Sequence, residues 1–574
     1  MKKMALRIVA TILLLATMGT LFVGCYETEE KLPDDKTILY VSNYYGGLGD
    51  EWLNKAIARF EADYADYELN GKKGVKVKVN NNQNIGTSVV SSIKTSPFEV
   101  YILESVYYYD FVNAGVLADI TDVVTSPLTL VGETGTIEDK MYDVTKDYLK
   151  TENGKYYAIP WYEAYSGLTY DVDMFNRYNF YFASNGKDGA AAYTMQGSKK
   201  VFTFVSSADA PKSYGPDGKT GVINGIDYSA DDGLPATYEQ FYALCERMKS
   251  VGVTPMLWTS LVDYVGYFLT QLMADYEGLD NMMLNFEVLG EAEHIVESFK
   301  NGDPQIVEKI LEAKNGAELY KQAGRYYALE FLYTMITNEY VSRLSYASSE
   351  GHLTAQSDFI YGTYVEDTGK EKIGMFVEST WWEHEARGTF EAMAEARGEA
   401  AKRENRNFAY MPLPKVDDSH IGEKQTRVTQ NNTAMFINGN VSEDKLPLCK
   451  DFLRYLVADV TLADFIACTS TPMLYDYKLT DEQYSNLTNF GKSVMDFHNT
   501  ADIAYPNSKS EIWLSNSSFF DMQYNFWGSM VDGIPYTYPT YAFKDKGVTP
   551  QQYFEGIYAQ YQSSWDRTFA DFIN

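Results

Sequence analysis

Apolar residues in this chain fall into short blocks whose spacing switches between that of strands and that of helices. TILYVS, from Thr37, has strand composition and runs into the glycine-rich break NYYGGLG. From Asp50, a residue type favoured as a helix cap, Leu53, Ala56, Ile57 and Phe60 recur on one helical face. VKVKV at 75–79 predicts a second strand, and FEVYILES a third that runs into YYYDFVNAGVLADIT. Strands alternating with helices predict an α/β fold built on a parallel sheet.

The stretch NGKYYAIPWYEAYSGLTYDVDMFN, residues 153–176, joins a turn, a short apolar strand and two extended segments, and predicts a crossing between domains. From about 177 to 232 the text becomes turn-rich, with GKDGAAAYTMQGSKK and GPDGKTGVINGIDYSADDG around the strand-like VFTFV, which predicts an insertion of hairpins or loops. Its aspartates lack the spacing and the terminal Glu of a calcium-binding hand. Helical spacing returns in ATYEQFYALCERMK, where Thr237 and Gln240 match a capping box and Phe241, Leu244, Cys245 and Met248 share a face. VGVTPMLWTSLVDYVGYFLTQLMADY predicts a short strand, a turn bearing Trp258 and a long apolar helix. Residues 284–345 predict charged amphipathic helix broken near NGDP. RNFAYMPLPK and TQNNTAMFINGN predict strands, and DKLPLCKDFLRYLVADVTLADF predicts helices in which Cys449 shares an apolar face with Phe452, Leu453 and Leu456.

The first 25 residues have a different texture. Lys2, Lys3 and Arg7 precede the apolar IVATILLLATMGTLFVG, the pattern of a secretory signal. LFVGC resembles a bacterial lipobox, which implies removal of residues 1–24, a lipid on Cys25 and a charged tether over 25–36; an uncleaved signal anchor is the other reading. No other apolar run approaches the roughly 20 residues a membrane span needs. The length, 574 residues, suits two or more domains. With 49 Lys and Arg against 79 Asp and Glu the formal charge is −30, which argues against nucleic acid or an anionic membrane surface as the main partner. Aromatics make up 15% of the chain, with 48 Tyr and 8 Trp, and such side chains suit flat, amphipathic ligand surfaces. Cys245, Cys449 and Cys468 form neither a disulfide framework nor a zinc pattern.

Ligands of parallel α/β sheets sit beyond the carboxyl ends of the strands. The loops SNYYGG and ESVYYY occupy those ends and offer Asn43, Tyr44, Tyr45, Glu104, Tyr107 and Tyr108, which combine ring faces with amide and carboxylate groups able to hold hydroxyls. In FVESTWWEHEARGTF, residues 376–390, a helix starting near Trp382 puts Trp382, Ala386, Phe390 and Met393 on the core face, leaving Trp381 free to present its ring. Nucleophilic catalysis lacks support, because no GxSxG occurs and the five His, at 294, 352, 384, 420 and 498, form no recognisable arrangement. EHEAR lacks the second His of HExxH, so no metal site is expected, and no GxxxxGK phosphate loop occurs. A glycosidase needs only two carboxylates in an aromatic cleft, and Glu104, Glu163, Glu378, Glu383 and Glu385 are candidates. Spacing alone does not separate that chemistry from carboxylates that anchor sugar hydroxyls.

The order of the segments FEVYILESVYYYDFVNAGVLADIT, NGKYYAIPWYEAYSGLTYDVDMF, GLPATYEQFYALCERMKSVGVTPMLW, FVESTWW and NFAYMPLPK to DFLRYL resembles the extracellular solute-binding proteins of carbohydrate ABC importers, the maltose-binding-protein-like family. The resemblance covers most of the chain beyond residue 36. It implies a type II periplasmic-binding-protein fold: two α/β lobes, each a mainly parallel sheet flanked by helices, joined by hinge strands. The lobes are then 37–160 with 415–458, and 161–414 with 459–574. Trp381 falls where the family has a sugar-stacking Trp, Glu163 near a carboxylate that binds sugar hydroxyls, and Trp258 in a loop that supplies another contact. Val106 and Tyr107 replace a charged pair of maltose-binding proteins, which argues against maltose itself. The implied function is capture of a carbohydrate, an oligosaccharide, without catalysis or cofactor, by a monomer lipid-anchored on the extracellular face of a bacterial, Gram-positive membrane and serving ABC permease subunits. The expected contacts are Asn43, Tyr45, Glu104, Tyr107, Trp161, Tyr162, Glu163, Trp258, Trp381 and Glu383. A peptide-binding receptor of an importer and a secreted glycoside hydrolase are the alternatives.

Overall fold

The computed structural model describes residues 32–573, apart from short stretches within 83–85, 184–232, 348–350, 365–368 and 521–537. The signal-like segment and Cys25 lie outside the described residues, as does much of the 177–232 insertion. Within the insertion Gly189–Tyr193 pairs antiparallel with Phe202–Val205, a hairpin of the kind expected there. Among the described residues no helix is long and apolar enough to cross a membrane.

Eight strands form two four-stranded sheets: β1 (Thr37–Tyr44), β2 (Val75–Asn82), β3 (Val100–Leu103), β4 (Ser166–Asp171), β5 (Thr254–Trp258), β6 (Ile373–Ser379), β7 (Phe408–Met411) and β8 (Ala434–Ile437). The first sheet runs β8-β3-β1-β2, with β1 parallel to both neighbours and β8 antiparallel to β3. The second runs β5-β6-β4-β7. Only its β5–β6 pair is parallel; β4 is antiparallel to both β6 and β7. The expectation of a mainly parallel sheet therefore holds for the first sheet and is corrected for the second, which is mixed. β4 enters the sheet from the crossing segment and not by a helical crossover from β5 or β6, so where that crossing lies sets its direction.

Burial follows the expected patterns. β3 and β6 are buried along their whole lengths, as strands covered by helices on both faces must be. In the helix Glu51–Asp63 the predicted face, Leu53, Ala56, Ile57 and Phe60, is buried together with Trp52. Asp50 does not cap that helix with its side chain; it accepts a hydrogen bond from Asn81 Nδ2 at 2.5 Å instead. Thr237 does cap the helix Tyr238–Ser250, accepting from the Gln240 amide, while the Gln240 side chain accepts from the Ala236 amide. Cys245 and Cys449 are fully buried among the apolar neighbours named above.

One reading is overturned. Residues 290–311 are not helix: Gly290–Lys300 pairs antiparallel with Asp303–Leu311. Lys300 faces Asp303 across Asn301 and Gly302, whose φ values are +55° and +95°. That is the Asn-Gly signature of a two-residue hairpin turn, and it overrides the charged helix-like text on either side. Beyond the boundary drawn at 458, helix Asp459–Thr469 packs against Glu51–Asp63 of the first sheet's layer. Phe465 meets Trp52 edge to face at 5.2 Å, and Arg59 pairs with Asp464 at 2.7 Å.

The chain crosses from the first sheet's side to the second in residues 159–166. Ile159 exchanges backbone hydrogen bonds with Met435 of β8, Glu163 N donates to Pro472 O, and Ser166 opens β4. A second crossing runs back beside it, where Gln430 N donates to Ala164 O just before β8 begins. The two connections lie side by side between the sheets.

Candidate functional site

β1 and β3 are parallel neighbours, so their carboxyl ends emerge together, with Asn43 opposite Ile102. Tyr44 ends β1 and Glu104 follows β3, and the Tyr44 hydroxyl hydrogen-bonds the Glu104 carboxylate. The same carboxylate accepts from Tyr162 Oη at 2.5 Å and from Asn431 Nδ2 at 3.3 Å, and Asn431 Nδ2 also donates to Tyr162 Oη at 2.7 Å. Tyr162 and Asn431 come from the two crossing connections. Burial raises the Glu104 pKa above its ordinary value, opposed by the hydrogen bonds from Tyr162 and Tyr44.

The second sheet contributes another carboxylate cluster. Glu378 stands near the end of β6, buried, its Oε1 accepting from the Ser379 amide at 2.8 Å. Glu385, one turn past Trp381, accepts from Gln356 Nε2 at 2.7 Å and lies 3.7 Å from His352 Nε2. The His352 ring stacks on Tyr264 at 6.2 Å, 9° from parallel. Burial, and then the charge of Glu385, hold the Glu378 pKa well above the ordinary carboxylate range. Glu378 Oε2 and Gln356 Oε1 meet no donor among the described residues, although the two side chains interact.

The two clusters face each other. Besides burial, the charges of Glu104 from the first sheet and Glu385 from the second both raise the Tyr44 pKa. Burial, Glu378, Glu385 and Tyr44 all act on Tyr264 in the same direction. The loop after β1 touches the short helix Trp382–Glu385: a Cβ added to Gly47 would lie 3.0 Å from Glu385 Oε1. Arg387 Nη2 donates to Tyr45 Oη at 2.9 Å across the same seam.

Trp381 and Trp382 have the unequal surroundings that helical offset predicts. Trp382 is fully buried, ringed by Phe359, Phe376, Phe390, Phe408 and Phe490 at centroid distances of 5.2–6.2 Å. Trp381 is only partly buried, at the start of the helix that carries Glu385. Tyr45, Glu104, Tyr162 and Trp381, expected as contacts, thus lie at or beside the seam, Tyr162 through its hydroxyl.

Other expected contacts lie elsewhere, buried in the frame or at a separate cavity. Asn43 is fully buried and donates to Asn81 Oδ1 at 2.9 Å within the sheet. Trp161 is fully buried, tilted against Trp52 at 6.2 Å and edge-on to Tyr162 at 4.7 Å. Trp258, the last residue of β5, is 2% exposed and packs on Tyr346. Glu383 is fully buried and accepts from Ser470 at 2.6 Å and Thr488 at 2.7 Å. Glu163 is also fully buried, its Oε1 accepting from Arg427 Nε at 2.9 Å and facing His498 Nδ1 at 2.7 Å. Burial would raise the Glu163 pKa, but Arg427 and His498 outweigh it and hold it below the ordinary value. These five side chains support the frame around the seam. Tyr107 stands apart from it, lining a separate cavity with Tyr109 and Trp513.

Sequence reasoning missed Tyr264, His352, Gln356, Arg387 and Asn431 as members of the site, and Glu378 and Glu385 entered as carboxylates of a possible glycosidase or as anchors of sugar hydroxyls. Asn431 alone left a local signal, since QNN directly precedes a strand. The seam offers carboxyl groups and tyrosine hydroxyls, with the partly buried Trp381 at the start of the helix that carries Glu385, a set that suits a neutral ligand rich in hydroxyls. Among the described residues no three His, Cys, Asp or Glu side chains come together as a metal site. No family model and no curated protein matches the sequence. Among solved structures, a chitin oligosaccharide binding protein aligns with 93% of this chain and 100% of its own length, at 12% identity and a TM-score of 0.47.

Proposed function

We propose that this protein is a solute-binding receptor for a carbohydrate, an oligosaccharide, held between two lobes built on the two sheets. The observation that carries the reading is the facing of Glu104 and Tyr44 on one side with Glu378 and Glu385 on the other, beside two antiparallel crossings. An indole face takes the C–H face of a pyranose, and paired carboxyl and phenol groups exchange hydrogen bonds with its hydroxyls. Groups from both lobes contact one ligand only when the lobes are together, so binding favours the closed arrangement by differential contact. In this reading Cys25 carries a lipid that holds the receptor on the extracellular face of the membrane, and ABC permease subunits receive the ligand. The sequence resemblance described above supports the same assignment.

Calorimetry of the full chain against oligosaccharides of glucose, xylose, mannose, galactose and N-acetylglucosamine tests it. Saturable heat with one member and no release of reducing ends over a long incubation are expected. Absence of heat with every member, or a melting temperature raised by peptides and by no glycan, would overturn the reading. Release of reducing ends would make the carboxylates catalytic instead.

A further inference from the structure

The second crossing is tied to both carboxylate clusters by two adjacent residues. Gln430 holds the second sheet: its Nε2 donates to Ser166 Oγ at 2.7 Å, and its Oε1 accepts from Ser379 Oγ at 2.7 Å. Ser166 opens β4 and Ser379 closes β6, where they stand opposite each other with their hydroxyl oxygens 2.8 Å apart. The Ser379 amide donates to Glu378 Oε1 at 2.8 Å. Gln430, Ser166 and Ser379 are all buried, and the side-chain amide of Gln430 has both its donor and its acceptor engaged.

Asn431 holds the first sheet's cluster. Its Nδ2 donates to Tyr162 Oη at 2.7 Å and to Glu104 Oε2 at 3.3 Å, beside the 2.5 Å hydrogen bond from Tyr162 Oη to the same oxygen. The backbone strengthens the tie, because Val106 N, two residues past Glu104, donates to Asn432 O at 2.9 Å. One peptide bond therefore separates a side chain fixed to the strand ends beside Glu378 from a side chain fixed to Glu104.

We propose that Gln430 and Asn431 are positioning residues of the interlobe site, which set where Glu104 stands relative to Glu378 and pass a change of lobe angle to both carboxyl groups. Gln430 acts through Ser379 and Asn431 through Glu104. A turn of the crossing at this pair moves Glu378 with the second sheet and leaves Glu104 with the first, so a ligand that bridges the two carboxyl groups also fixes the crossing. The inference rests on the interlobe reading and deepens it, from which groups meet the ligand to what holds those groups in place.

Two variants of the full chain test it. Asn431→Leu removes a donor to Glu104 at a partly exposed position, and Gln430→Met removes both side-chain hydrogen bonds with little change of volume. In ligand-free protein the Glu104 carboxyl is titrated by its carboxyl carbon NMR shift, assigned with Glu104→Gln. Loss of a donor disfavours the charged carboxylate, so the Glu104 midpoint should move to higher pH in Asn431→Leu. In calorimetry with the oligosaccharide that gives the wild type its largest heat, each variant should weaken affinity roughly tenfold. The loss from Asn431→Leu should shrink when Glu104 is already Gln, and that from Gln430→Met when Glu378 is already Gln. Ser379→Ala, which deletes one of the same hydrogen bonds, replaces Gln430→Met if that variant fails to fold. A Glu104 midpoint unmoved by Asn431→Leu overturns the proposal, as do wild-type affinity in the variants and losses that add independently to those of Glu104→Gln and Glu378→Gln. Absence of heat between the wild type and every glycan strikes the interlobe reading instead, and the ligand-free titration then still decides whether Asn431 positions Glu104.

Discussion

At the scale of single residues, adjacent side chains of one type serve different ends. Trp382 fills a pocket of five phenylalanines, so Trp382→Ala should lower unfolding free energy by about 3–5 kcal/mol. Trp381→Ala, which empties a partly exposed position, should leave the denaturation midpoint nearly unchanged and abolish oligosaccharide binding. Denaturant titration together with calorimetry on the two variants checks the pair, and the reverse pattern would show that the indoles had been assigned the wrong way round. Glu378 gives a pH signature. Its folded pKa lies well above the ordinary 4.5, so the folded state holds this proton more tightly than the unfolded chain does. Its contribution to stability is complete below pH 4.5 and is lost as pH rises through the folded pKa. Glu378→Gln should remove that decline, and denaturation midpoints measured from pH 4 to 8 should be flatter in the variant by roughly the amount one buried carboxyl supplies. The carboxylates themselves were legible in the sequence. Which of them is buried was not, because burial depends on residues as distant as Tyr264 and Gln356 lying around one place.

At the scale of elements, periodic text was a good guide wherever one helical or strand face meets a core. The helices Glu51–Asp63 and Tyr238–Ser250 and the strands β1, β3 and β8 lie where the apolar spacing put them. The failure at 290–311 has a definite cause. Both strands of that hairpin are exposed on much of their surface, so their charged residues carry no clean alternation, and the information sits in the turn. Gly302 holds φ at +95°, which a residue with a Cβ reaches only at a cost, so Gly302→Ala should destabilise by about 1 kcal/mol. A urea midpoint lowered with an unchanged slope would bear this out. A midpoint unchanged by the substitution would mean that the turn adds nothing to the hairpin.

At the scale of the whole molecule, the seam between the sheets is where binding and motion meet. A Cβ on Gly47 would press on the Glu385 side chain at 3.0–3.2 Å, so the far larger Gly47→Trp should wedge the loop after β1 away from the helix Trp382–Glu385. The expected outcome is a larger radius of gyration in solution scattering and oligosaccharide affinity weakened roughly tenfold or more, about 1.4 kcal/mol. Unchanged scattering and affinity would show that this contact is not part of the ligand-bound arrangement. Spacing within a few residues was enough to read the α/β alternation, the crossing segment and the inward facing of Trp382. Only the tertiary structure decided the mixed second sheet, the burial of Asn43, Trp161, Glu163, Trp258 and Glu383, and the meeting of Glu104 with Tyr162 and Asn431. Those outcomes depend on which strand becomes whose neighbour and which loop lies across which sheet end. Local propensity carries no such information, and long-range packing alone supplies it.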